Sequence, residues 1–449
     1  MSLALTALVA FLLTALLTPV CRAASRRLGW VDHPDTRKHH RAPVPRTGGI
    51  AIFVGYAAAM GLRGEWAILP AVLAAFGTGL LDDLVGLKPR TKISGQILAA
   101  LLACGAGVQI FGAGAWWHTP LTIIWLVGCT NAVNLIDGLD GLAAGVGLFA
   151  AGAAIGTGNA ALGVIAAPLL GALLGFLPYN FSPASIFMGD CGSNTVGFLL
   201  GCCGVMWTGK SVSLAGMCAP VIALAIPILD TALAIVRRFL RNEPIFAADC
   251  GHIHHRLLAR GFAPPKVAAI LYAGAGFFAC LSVLLTNGTP NRGAVLAAFG
   301  VVIWLALRYL RYEEFACVRT VILGGMLRRA LSADLFVREF EEAIREAGSI
   351  EECWCALEDH GRRVGLCGAS MQIYGRTFSA PFREPETSGD SWSLRVPLNG
   401  AGIVELDMPF GECSSVVPLA NSLRIVLAPK LETLRPQLAF AAAAGRRTR

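Results

Sequence analysis

Charge is what this sequence has least of. Asp, Glu, Lys and Arg make up 15% of its 449 residues, against 55% hydrophobic residues. A soluble domain carries about a quarter of its residues charged, so an ordinary soluble enzyme is excluded and many membrane spans are implied. Metal-spaced cysteine pairs are also missing. Cys202-Cys203 and Cys353-x-Cys355 match no zinc pattern, and the 14 cysteines are scattered, many inside apolar runs. They read as reduced, small apolar fillers and not as a disulfide framework. The first apolar run has no charged segment before it and no small-residue cleavage site after it, so a retained helix is expected. No internal repeat of useful strength occurs. Lys and Arg outnumber Asp and Glu, 37 to 29. The basic residues lie mostly in short loops between apolar runs, which points to lipid headgroups and anionic substrates and away from nucleic acid. The 51 glycines suit closely packed membrane helices.

Apolar runs recur at about 3–20, 49–62, 66–81, 93–111, 119–135, 142–157, 160–178, 193–208, 212–236, 266–286 and 293–310. Eleven spans are therefore expected, the second, third and sixth short. With the N-terminus outside, the inside loops 21–48, 82–92 and 237–265 hold fifteen Lys and Arg, and the outside loops only Arg63, Lys210 and Arg292. The positive-inside rule selects that orientation. It collects every polar cluster of the membrane part on the cytoplasmic face, as a single active site there would require.

From about Arg311 the composition becomes mixed and charged. Helices are expected at 332–347 and about 350–361, strands at 369–374, 391–398 and 402–408, and a final helix at about 415–435. Asn399-Gly400 between the last two strands is a hairpin signal. The expected fold is an all-α polytopic membrane protein over 1–310, followed by a small cytoplasmic α+β domain over 311–449.

The chain is organised around Thr130–Gly145, TNAVNLIDGLDGLAAG. Asn131, Asn134, Asp137 and Asp140 stand three residues apart between apolar runs, and ionisable groups at membrane depth usually have a function. Each three-residue step drifts roughly 60° around a helix, so the four cannot share one face. Gly138 and Gly141 offer a break. The reading is a helix ending near Leu135, a turn carrying the aspartates, and a new helix from about Leu142.

Four other segments carry candidate chemistry. Asp82-Asp83 ends the third run. Adjacent carboxylates resist joint ionisation, and the pair could be a base, a metal site, an anchor for Lys88, Arg90 and Lys92, or simple helix-end charge. FMGDCGSNTVGF sets Asp190 between glycines before a span. A Gly-rich turn donating amides beside an Asp suits a Mg²⁺–diphosphate unit, and a helix cap is the plainer alternative. GHIHHRLLARGF presents His252, His254, His255 and Arg256. Apart from Asp249 and Cys250 just before them, no Cys, Glu or Asp lies beside them at catalytic-zinc spacing, and phosphate or sugar binding fits a basic loop better. DHPDTRKHHRAPVPRTGGIAIF, Asp32 to Phe53, reads as an ordered anion-binding loop.

In this order, these five segments resemble the signatures of the polyprenyl-phosphate N-acetylhexosamine-1-phosphate transferases. The resemblance covers about residues 1–310. Its HIHHRL form is similar to the branch that starts O-antigen, enterobacterial common antigen and teichoic acid linkage units. It implies transfer of a sugar 1-phosphate, most simply GlcNAc-1-phosphate, from a UDP-sugar to undecaprenyl phosphate with release of UMP. It also implies Mg²⁺, with Mn²⁺ able to substitute, a bilayer-embedded site, and no nucleic acid. By resemblance, Asp190 and Asn134 hold the metal, and Asp137 and Asp140 are the acidic positions around the nucleotide. Asp82 and Asp83 lie near the lipid phosphate and Lys92 contacts phosphate. His252, His254, His255 and Arg256 hold the sugar and its phosphate. Asn131 joins the substrate-binding set and His252 the catalytic one. Another UDP-HexNAc or UDP-MurNAc-pentapeptide would use the same chemistry. A transporter or a membrane sensor is the non-enzyme alternative, a transporter expected to place such residues near the bilayer midplane. The segment 311–449 carries no catalytic motif and loosely resembles a GAF or PAS-type module. It is expected to be regulatory, or to support a homodimer through the helix at 415–435.

Overall fold

The computed structural model describes residues 1–33, 43–112, 114–208, 214–240, 251–287, 291–310, 339–364, 366–382, 391–398, 401–409 and 416–435. The chain divides into two compact units, Met1–Tyr312 and Glu313–Arg449.

The first unit is helical: α1 (Leu3–Leu28), α2 (Gly49–Arg63), α3 (Leu69–Val85), α4 (Pro89–Gly105), α5 (His118–Ile136), α6 (Leu142–Gly156), α7 (Ala160–Asn180), α8 (Gly189–Thr208), α9 (Leu214–Ala223), α10 (Ala225–Leu240), α11 (Ile253–Ala259), α12 (Pro264–Thr286) and α13 (Arg292–Tyr309). A two-residue ribbon, β1 (Val31–Asp32) with β2 (Val44–Pro45), joins α1 to α2. Residues 34–42, the centre of the expected anion-binding loop, lie outside the described residues, as do Lys210 and Arg241 of the loop-charge comparison.

Helix α8 is the axis of the unit. Every residue from Cys191 to Val205 is buried, the polar Ser193, Asn194 and Thr195 included, so the helix is surrounded by the rest of the bundle. At the other extreme, α13 exposes Val301, Trp304, Leu305 and Tyr309, and α1 exposes Leu5, Leu8, Leu12, Leu16 and Val20. Such continuous apolar surface is sustained by lipid and not by water.

Among the described residues five helices, α1, α5, α7, α12 and α13, are long and apolar enough to cross a membrane. The apolar run 212–236, which the sequence presents as one span, is instead the pair α9–α10, bent by 84°. Pro227 accounts for the break: it has no N–H to give the carbonyl of Ala223, and its ring crowds that carbonyl. Counting the pair as one gives six candidate spans. The expected eleven requires α2, α3, α4, α6 and α8 to cross as well, and a 15-residue helix such as α2 is only about 22 Å long.

Missing side chains set two crossings that build the site. A Cβ on Gly79 of α3 would fall 2.2 Å from the carbonyl oxygen of Asp190, and one on Gly49 of α2 would fall 2.1 Å from the amide nitrogen of Gly192. Only glycine allows these approaches, and they seat the start of α8 against α2 and α3.

The second unit has an antiparallel four-stranded sheet, order β4-β3-β6-β5, from β3 (Gly368–Ile373), β4 (Arg376–Pro381), β5 (Ser391–Pro397) and β6 (Gly402–Pro409). Its core joins Phe340, Leu357, Met371, Val404, Leu423 and Leu431, drawn from helical residues 339–346, α14 (Ile350–Val364), the sheet, and the helical stretch 416–435. Strand β4 is additional to the three strands expected. Its signal is Tyr374-Gly375, a two-residue turn with both φ positive, 48° and 81°, the form that hairpins favour. Asn399-Gly400 lies outside the described residues, but the strands flanking it pair as expected, with Pro397 opposite Ile403.

Candidate active site

The ends of α3, α4, α5 and α8 meet. Helix α5 stops at Ile136, Asp137 caps it, and Gly141 at φ 74° opens α6 at Leu142. The broken-helix reading of this stretch thus matches the observed chain to within a residue. Tyr272 of α12 donates from its hydroxyl to the carbonyl of Gly141 at 2.6 Å and closes the turn from above. Asp140 accepts the N–H of Ala184 at 3.0 Å, so one of its oxygens ties the turn to the segment leading into α8.

Lys92 is the centre of the cluster. Its ammonium lies 2.8 Å from Oδ2 of Asp82, also donates to Oδ2 of Asp190, and reaches Oδ1 of Asn134 at 3.3 Å. Asn134 donates to Oδ1 of Asp190 and to Oγ of Ser193, each at 2.8 Å. Asp82 also accepts the N–H of Leu87 at 2.7 Å, which closes the α3–α4 turn.

Asp83 does something different. Its two oxygens accept the N–H groups of Asp190 and Cys191, each at 2.9 Å. The first free amides of α8 are therefore taken by Asp83, a correction to the reading in which they face a diphosphate. Nor does Asp190 cap its own helix: Asp83 caps it from α3. Arg46 donates to the backbone carbonyl of Asp83 and holds the α3 end in place.

Asp137 is enclosed by protein yet keeps a solvent-accessible face, as a group on the floor of a cleft does. Its carboxyl is pushed well above the usual carboxylate range, first by burial and then by the negative charges of Asp190, Asp83 and Asp140.

The histidine segment joins this floor. A Cβ on Gly138 would lie 2.8 Å from Nε2 of His254, so the ring of His254 rests on the turn that carries Asp137. His255 is 4.2 Å from His254 between ring centroids, and His252 lies parallel to His254 at 5.9 Å. Arg256 reaches backbone: Nε donates to Gly251 and a terminal nitrogen to Leu310, both carbonyls. Asn131 faces α4. It forms a reciprocal amide pair with Gln96 of that helix, 2.7 Å at the shorter contact. Asp249 and Cys250 lie outside the described residues.

Magnesium, implied by the motifs, fits what is present. Oxygens of Asp82, Asp190 and Asn134 converge on one cationic point, the Lys92 ammonium. Two carboxylates and an amide oxygen, completed by water and substrate phosphate, are the donors Mg²⁺ takes. Among the described residues no three His, Cys, Asp or Glu side chains gather to hold a metal by themselves.

The model of Glycosyl transferase family 4 matches residues 66–208, the stretch from before α3 to the end of α8. A probable undecaprenyl-phosphate N-acetylglucosaminyl 1-phosphate transferase of Bacillus subtilis (strain 168) is 36% identical over 303 residues, covering 63% of this chain and 84% of the relative. The chain belongs to this family of polyprenyl-phosphate sugar-phosphate transferases. A decaprenyl-phosphate N-acetylglucosaminephosphotransferase of Mycobacterium tuberculosis (strain ATCC 25618 / H37Rv) is 36% identical over 350 residues, 67% of this chain and 87% of the relative. A phospho-N-acetylmuramoyl-pentapeptide-transferase of Desulforamulus reducens is 31% identical over 326 residues, 62% and 93%. Like its family, the chain is a multi-pass membrane protein.

Ser193 stands within FMGDCGSNTVGF and Gln96 four residues after Lys92, so their neighbourhoods are signalled but their partners are not. Tyr272 lies outside the five segments, and Asp230 is marked as an acid in the apolar run AIPILDTALA.

Proposed function

We propose that this chain transfers GlcNAc 1-phosphate from UDP-GlcNAc to undecaprenyl phosphate, releasing UMP, with Mg²⁺ or Mn²⁺ bound at Asp190 and Asn134 and assisted by Asp82. The observation that carries the reading is the convergence of Asp82, Asp190 and Asn134 on one cation beside Asp137. In direct transfer, an oxygen of the lipid phosphate bonds to the phosphorus bearing the sugar, and the bond from that phosphorus to the UMP oxygen breaks. A two-step route would place an aspartate oxygen in that first bond. Phosphoryl transfer needs in-line placement and charge neutralisation above all. Lys92 supplies a fixed positive charge between the carboxylates, the metal when bound neutralises the diphosphate, and His252, His254 and His255 face the sugar phosphate. Asp137, with its raised affinity for a proton, suits a donor or acceptor at the cleft floor.

We read all eleven apolar runs as crossing, with the N-terminus outside and the site and residues 311–449 in the cytoplasm. UDP-sugar and lipid phosphate would then meet at one membrane face. A transporter would hold its acids near the midplane, whereas these stand at helix ends. UDP-MurNAc-pentapeptide is the second substrate reading, favoured by the 31% relative named for it.

Purified protein in detergent with Mg²⁺, undecaprenyl phosphate and a panel of UDP-sugars decides the matter. UMP and a lipid diphosphate-sugar are expected with UDP-GlcNAc. No UMP from any UDP-HexNAc would overturn the reading, and turnover of UDP-MurNAc-pentapeptide alone would select the alternative.

A further inference from the structure

Asp230 is an acid for which the reaction above has no use. It lies on α10, is 1% exposed, and spends both oxygens on the histidine segment. Oδ1 accepts the N–H of Ile253 at 2.7 Å, and Oδ2 stands 2.9 Å from Nδ1 of His252. A carboxylate only accepts, so the proton of that contact belongs to Nδ1. Nε2 is then the one ring nitrogen left for a ligand. Two turns along the same face of α10, the buried guanidinium of Arg237 backs Gly251, where a Cβ would fall 2.5 Å from its Cζ. The face of α10 that carries Asp230 and Arg237 is thus a platform under residues 251–253, and the ring it orients lies parallel to that of His254, which touches the Asp137 turn.

We propose that Asp230 is a positioning residue for the transfer reaction. It fixes the ring and the tautomer of His252, so that Nε2 alone is presented to the UDP-sugar. The proposal rests on the functional reading above. Capping of α11 is the competing role, and asparagine separates the two. Its side-chain carbonyl still accepts the Ile253 N–H, but its NH₂ faces Nδ1, which must then accept. The proton moves to Nε2 and the presented atom changes character.

The test compares wild type, Asp230→Asn, His252→Ala and the double variant as full chains, reading kcat and KM for UMP release and, with ¹⁵N-histidine, the ring tautomers. Asp230→Asn should lower kcat by about 10–100-fold, the range for outer partners that orient ligand histidines. The double variant should be no worse than His252→Ala. One Nδ1-protonated ring should vanish in His252→Ala and convert to Nε2-protonated in Asp230→Asn. Losses that multiply in the double variant, activity of Asp230→Asn within about twofold of wild type, or an unchanged tautomer would overturn the proposal, because a residue that orients this ring must act through it. If asparagine prevents folding, Asp230→Glu in both backgrounds makes the same comparison. Absence of UMP in wild type would defeat the functional reading instead, and the tautomer signal would then decide the pairing alone.

Discussion

Asp83 on α3 accepts the backbone N–H of Asp190 on α8 at 2.9 Å, and that of Cys191 at the same distance. One buried carboxylate thereby places the residue proposed to hold the metal. Its neighbour Asp82 points instead into the Lys92 cluster. Two adjacent aspartates thus have separate work, because successive side chains on a helix are about 100° apart.

The first prediction separates them. Asp83→Asn puts an NH₂ against a backbone N–H and leaves a buried donor unpaired, at a cost of about 1–3 kcal/mol. Its Tm should fall together with UMP release. Asp82→Asn should lose UMP release while its Tm stays near wild type. Equal Tm in the two variants would contradict the division.

Asp190→Asn keeps size and shape but removes the charge that attracts Mg²⁺. UMP release should collapse, with folding intact because the amides held by Asp83 are unaffected. A Mg²⁺ titration should show weakened dependence on the ion. Normal turnover with an unchanged Mg²⁺ midpoint would remove Asp190 from the metal site.

Much of this arrangement was legible in the sequence because apolar runs and glycine breaks are local signals. The turn at 137–141 follows from Gly138 and Gly141 and the three-residue spacing. The pairings across α3–α8, α4–α5 and α10–α11 were not legible, because they join residues far apart in sequence. Nothing near Asn131 names Gln96 as its partner, and nothing near Asp83 says that its oxygens will meet amides on a helix that begins at Gly189. The bend after α9 had a local cause in Pro227, but hydropathy averages over a proline and shows one continuous run.

Asp137 gives a pH-dependent prediction. Its carboxyl binds a proton more tightly in the folded protein than in the unfolded chain. Stability it contributes is therefore present at low pH and is lost as pH rises from about 4, the unfolded value, through its raised folded value. An asparagine at this position cannot ionise and escapes that loss. In detergent with a chelator, the Tm of Asp137→Asn should exceed wild type by a margin that grows from about pH 5 to about pH 8, while UMP release falls. A margin independent of pH would refute the assignment.

Tyr272 ties α12 to the same turn through the carbonyl of Gly141. Tyr272→Phe leaves that carbonyl without its donor, a loss of about 1 kcal/mol. A modest fall in Tm and roughly a fivefold loss of kcat are expected if that energy goes into holding the turn. Gly145→Ala should be worse, since the new Cβ would fall 2.1 Å from the Tyr272 ring. Calorimetry and UMP release on both variants check the order, and a Gly145→Ala protein milder than Tyr272→Phe would contradict it.

The last prediction concerns Glu313–Arg449. This unit buries its own core, with Phe340, Leu357, Met371, Val404, Leu423 and Leu431 in one cluster, while the residues proposed for metal and phosphate all belong to Met1–Tyr312. A domain with its own core is able to fold alone, and a site built wholly within the other unit has no need of it for chemistry. We therefore expect truncation after Tyr312 to leave a protein that inserts and releases UMP, with any change appearing in KM or in response to a partner. The isolated 313–449 segment should unfold cooperatively and show no transferase activity. A truncated protein that is well folded by its thermal transition yet releases no UMP would mean that the second unit supplies part of the site, and the regulatory reading of residues 311–449 would have to be abandoned.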